Sequence, residues 1–87
     1  MSTQDNKAEL ARLMLEYPGL VMRGPSPQQV SRIKMENAEL SGFYANDASG
    51  WIGVMEDALR AGRQVVLIAS GPESIGLLIA KPGTRLF

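Results

Sequence analysis

Two apolar runs near the end of the chain, Gln64 to Ala69 and Ile75 to Ala80, are joined by Ser70-Gly71-Pro72-Glu73-Ser74. β-Branched and leucine-rich segments flanking a Gly-Pro turn predict a β-hairpin. With Ala69 opposite Ile75, one face carries Val65, Leu67, Ala69, Ile75, Leu77 and Ile79, and the other carries Gln64, Val66, Ile68, Gly76, Leu78 and Ala80. A hairpin with one wet side alternates apolar and polar residues, so one that is apolar on both sides is expected to be covered on both. The chain has 87 residues, enough for a single domain, and a domain of that size buries only about 60–65% of the surface its unfolded chain exposes. Covering both faces is the main constraint on the fold.

Helical patterns precede the hairpin. From about Asp5 to Glu16, Leu10, Leu13, Met14 and Tyr17 fall at i, i+3, i+4 and i+7, with Asp5 or a preceding hydroxyl as N-cap and Pro18-Gly19 as the stop. Leu20-Val21-Met22 is compatible with either a short strand or a tucked loop. Ser26-Pro27-Gln28-Gln29 combines an N-cap serine, a proline at the first helical position and a glutamine that closes a capping box, and predicts a helix running past Ile33 to Leu40. Phe43 to Asp47 then connects to a third helix, capped by Asn46 or Asp47 and ending at Gly62, with Trp51, Ile52, Val54, Met55, Ala58 and Leu59 on its apolar face. Gly50 and Gly53 in its first turns each cost about 1 kcal/mol relative to Ala, which implies close backbone packing, or a ligand beside Trp51, or a later helix start. The expectation is a single α+β domain over residues 1–87: three helices, a C-terminal hairpin and a possible strand at Leu20-Met22.

Composition narrows the chemistry. There is no Cys and no His, which excludes disulfides, Cys/His zinc sites, thiol nucleophiles and imidazole bases. Glu56 and Asp57 are adjacent on a helix and point about 100° apart, so they do not face each other across a cleft. Glu36 and Glu39 read as solvated helix carboxylates. The Ser70 to Gly76 loop lacks the Lys and Ser/Thr of a phosphate loop and carries Glu73 where an anion would sit. Neither enzymatic activity nor a cofactor is expected.

Nine basic residues balance nine acidic ones. Residues 1–62 hold six basic and eight acidic residues, and residues 63–87 hold three and one. Neither part has the clustered basic charge of a nucleic-acid or membrane surface. The first twenty residues lack the apolar core of a signal peptide, and no apolar run approaches the ~20 residues of a membrane helix. A cytoplasmic protein is expected.

Three short helices leave little to cover the second hairpin face. A homo-oligomer, most simply a two-fold dimer, is therefore expected, with Val66, Ile68, Leu78, Leu86 and Phe87 at its interface. Leu86-Phe87 would close over an exposed edge or dock on a neighbour. Phe43, Tyr44 and Trp51 lie within nine residues of one another. Such a cluster fits a core anchor; where part of it is exposed beside Arg60 or Arg63, it would suit a protein-partner hot spot, or a planar ligand held at a subunit boundary. These expectations describe a non-enzymatic adaptor, inhibitor or regulator that binds itself and another protein.

The order helix, strand, helix, helix, strand, strand resembles that of winged-helix domains, a likeness of order without a residue motif. It implies DNA binding through a recognition helix at Asp47 to Ala61. That helix holds Asp47, Glu56 and Asp57 against a single Arg60, which sets carboxylates against a phosphate backbone.

Overall fold

The computed structural model describes residues 3–23, 27–45, 50–69 and 73–87. In chain order the elements are helix α1 (Thr3–Glu16), strand β1 (Leu20–Arg23), helix α2 (Pro27–Ser31), a 3-10 turn (Met35–Asn37), strand β2 (Ala38–Ala45), helix α3 (Gly50–Arg60) and strands β3 (Val65–Ala69) and β4 (Ser74–Ala80). The α+β class holds. The cap candidates Ser26, Asn46 and Asp47, and the turn residues Ser70 to Pro72, lie outside the described residues. Asp5 lies inside α1, which begins at Thr3.

The strands form one mixed sheet in the order β1-β3-β4-β2. β3 and β4 pair antiparallel with Ala69 opposite Ile75, the expected register. Leu20-Val21-Met22 is a strand, parallel to β3 with Leu20 opposite Val65. The second helix is the main departure. It ends at Ser31; the rest of the segment expected to be helical forms the 3-10 turn and the start of β2, which runs on through the expected Phe43 connection, antiparallel to β4 with Phe43 opposite Gly76 and Tyr44 opposite Ile75. A capping box starts a helix but does not sustain one, and the apolar stripe of this segment is narrow. As a strand, the same residues pair with the side of β4 that β3 leaves open and place two aromatics where β-propensity favours them. A five-residue α2 followed by a strand also departs from winged-helix order.

Each face of the sheet has its own core. Leu13 of α1 and Trp51, Ile52, Met55, Ala58 and Leu59 of α3 pack on Val65, Leu67, Ile75, Leu77 and Ile79, joined by Leu10, Tyr17, Leu20 and Tyr44. Met14 and Val54, expected on the apolar stripes, face solvent. On the other face, Ile33 and Leu86 pack with Val66, Leu78 and Ala80, and Phe87 lies against them. The chain's own tail thus covers much of the surface expected to meet a second copy, and Val66 and Leu86 are fully buried within one chain.

The tail is held by polar contacts as well as by Leu86. The Gln64 side-chain oxygen accepts from the Leu86 amide at 2.6 Å, and the Asn37 side-chain amide donates to the Arg85 carbonyl at 3.1 Å. Lys34 N–H donates to the Leu86 carbonyl at 3.0 Å. Gly83, at φ 75°, supplies the left-handed turn that folds the tail back.

Gly62 ends α3 in the same conformation, at φ 78°. Among the described residues, neither Gly50 nor Gly53 packs against another backbone: a Cβ at either would meet nothing within 4 Å. α3 is described from Gly50, and the expected helix start at Asn46 or Asp47 lies outside the described residues.

Candidate functional site

The tail covers only part of its face. Beyond it, the α2 segment and the 3-10 turn form one wall of an apolar groove of about 360 Å³. Val30, Ile33 and Met35 line that wall, Phe43 of β2 and Ile68 of β3 flank the floor, and Gly76 lies between them. The wall is braced from behind, because the Lys34 contact to the tail lies between Ile33 and Met35.

Phe43 dominates this surface. Its side chain is 74% exposed, and Val30 and Met35 beside it are also exposed. The ring reaches over Gly76, where an added Cβ would come within 3.2 Å of Phe43 Cε1 and 3.4 Å of the Ile68 carbonyl oxygen. A glycine inside an otherwise aliphatic strand marks a close approach of this kind.

The aromatic cluster read from the sequence divides. Phe43 lies on the tail side of the sheet, whereas Tyr44, its neighbour on an alternating strand, packs with the helix-side core. Trp51 is 2% exposed in that same core, and its indole N–H has no hydrogen-bond partner among the described residues. It is a core anchor here and does not form one surface with Phe43.

Arg60 and Arg63 are also placed apart from Phe43, in structural roles. Arg60, in the last turn of α3, hydrogen-bonds the Tyr17 side chain, which raises its pKa further, and lies 3.7 Å from Glu56. Arg63 Nε donates to the Ala80 carbonyl at 2.7 Å, and its guanidinium pairs with Glu39.

A second cleft, of about 340 Å³, lies where α1 and α3 end, lined by Tyr17, Leu59, Arg63, Gln64 and Arg85 among others. Helix C-termini present carbonyls of partial negative charge, which arginines complement. Of the two arginines lining the cleft, Arg63 is already paired to Glu39.

Arg12 gathers three carboxylates from two helices. It bonds Glu9 at 2.7 Å, Glu16 at 3.1 Å and Glu56 of α3 at 2.7 Å. The Arg12 hydrogen bond lowers the Glu56 pKa below its ordinary value, against the opposing effect of partial burial. This network ties α1 to α3. Among the described residues, no three Asp or Glu side chains are grouped to hold a metal ion, and no helix is long and apolar enough to cross a membrane.

No protein-family model, no curated protein and no solved structure matches the chain. Of the sequence-predicted partner residues, only Phe43 belongs to the groove. Val30, Met35 and Gly76 are not singled out by the sequence, although a glycine between Ile75 and Leu77 is the available signal. Ile68 and Leu78, expected at an oligomer interface, line the groove.

Proposed function

We propose that the protein is a non-catalytic interaction module that holds a short apolar segment of a protein partner in the Phe43 groove, acting as an adaptor, inhibitor or regulator. The observation that carries this reading is a phenylalanine left 74% exposed in a groove whose other walls are Val30, Met35 and Ile68. Apolar rings left in water beside a concave apolar surface are a characteristic of docking sites. Methionine adds adaptability, because its unbranched thioether repacks around different side chains. The groove is also within the size range of sites that take one or a few side chains. A cytoplasmic setting belongs to the same reading and rests on the cysteine-free composition.

The test is site-directed photocrosslinking in an extract of the native host, with the probe placed at Met35 and, as a control, at the exposed Leu15 of α1. A discrete protein adduct from the Met35 probe, lost on Phe43→Asp and absent from the Leu15 probe, is the expected outcome. The same adducts from both positions would refute the reading.

A further inference from the structure

We infer that two copies of this chain associate by pairing their β2 strands antiparallel across a two-fold axis, joining two four-stranded sheets into one of eight. The proposal goes beyond the groove reading, since it uses the edge of β2 and requires no other protein.

The sheet order leaves β1 and β2 at its edges, and among the described residues β4 is the only strand neighbour of β2. The two edges differ in kind. β1 has four residues and ends in Arg23, whereas β2 has eight and holds six consecutive residues, Leu40 to Ala45, with no charge and no proline. Edge strands normally carry lysine, proline or other devices that prevent pairing, and a longer edge lacking them is a template for another strand. The irregularity of β2 lies between Ala38 and Leu40, at its beginning, and the regular pairing from Leu40 onward leaves the uncharged stretch straight.

The occupant is a second copy because the stretch is compatible with itself. Antiparallel pairing about a two-fold places a residue opposite its own counterpart; centred on Gly42 it sets Leu40 to Tyr44 against the same five residues and Glu39 opposite Ala45, so no like charges face each other. The chain's formal net charge of zero removes long-range repulsion between copies. With the axis perpendicular to the sheet, directly opposed residues share a face. Phe43 of each copy then stands beside its counterpart's strand on the tail side, which covers part of the most exposed apolar side chain of the strand. Self-association was expected at the hairpin faces; this arrangement moves it to an edge that the tail does not cover.

The absence of native cysteine makes disulfide trapping clean. Gly42→Cys is well tolerated sterically, since a Cβ there meets only the Tyr44 ring, at 3.6 Å or more. Phe43→Cys samples the adjacent position, and Gly53→Cys, on open α3 surface, is the control. The unmodified protein is expected to sediment at twice the chain mass at micromolar concentration. Mild oxidation should then convert Gly42→Cys or Phe43→Cys to a covalent dimer several-fold faster than Gly53→Cys. Sedimentation at the single-chain mass would overturn the proposal. So would a dimer in which neither β2 substitution crosslinks faster than the control. No partner protein is present in this measurement, so its failure is distinguishable from a failure of the photocrosslinking test of the groove.

Discussion

The ring of Phe43 lies across Gly76, close enough that a Cβ on the glycine would approach Cε1 to 3.2 Å. An aromatic on one strand thus fills the space left by a glycine on the next, and most of the ring remains in solvent. Phe43→Ala is expected to lower stability by less than about 1 kcal/mol, the range of a cross-strand pair, while abolishing partner capture. Gly76→Val, which presses on the ring and on the Ile68 carbonyl together, is expected to cost about 1–3 kcal/mol. Urea unfolding of both variants, compared with the parent, measures the difference.

Leu86 is fully buried against Val66 and Leu78. Its truncation to alanine is expected to destabilise by about 2–5 kcal/mol, as for other core leucines. For a small domain this is a large share of the whole stability. A Leu86→Ala midpoint in urea equal to that of the parent would show that the tail does not hold the second core.

Gly53 lies in the interior of α3 with open space where a side chain would be. Gly53→Ala is therefore expected to stabilise by up to about 1 kcal/mol, the helix-propensity difference, seen as a melting temperature higher by about 4–8 °C. Gly62→Ala should do the opposite, because its φ of 78° strains any residue with a Cβ.

Glu56 is held below the ordinary carboxylate pKa by Arg12 in the folded state. A depressed folded pKa contributes stability above the unfolded value, about 4.3 for Glu, and that contribution is lost as the pH falls through the folded value. The melting temperature of Glu56→Gln should therefore lie below that of the parent at neutral pH, and the two should converge in acid. High salt should narrow the neutral-pH gap, because the network is partly exposed. A gap that stays constant from neutral to acid pH would exclude the Arg12–Glu56 pair as its source.

Local signals in the sequence are sufficient for α1, for α3, and for the hairpin together with its register. Their periodicities of 3.6 and 2 are sustained, and Pro18 and Gly62 stop the two helices by backbone sterics alone. The stretch from Val30 to Ala45 misleads because its strongest signal, the Ser26-Pro27 capping box, governs only one turn. Past that turn the conformation is decided by β4, which needs a partner on its open side. The candidate site is legible only in Phe43, since Val30, Met35, Ile68 and Gly76 come from four separate elements that no linear spacing connects.

By itself the sequence determined an α+β chain without imidazole or thiol chemistry, and a hairpin that has to be buried on both faces. Only the tertiary structure decided what does the burying. α1 and α3 cover one face; the tail, turned back at Gly83 and held by Gln64 and Asn37, covers part of the other. The physical reason is that an apolar surface specifies that it be covered and does not specify by what. The choice depends on which segment can reach that surface and on which backbone groups it can satisfy on arrival, and both are set in three dimensions.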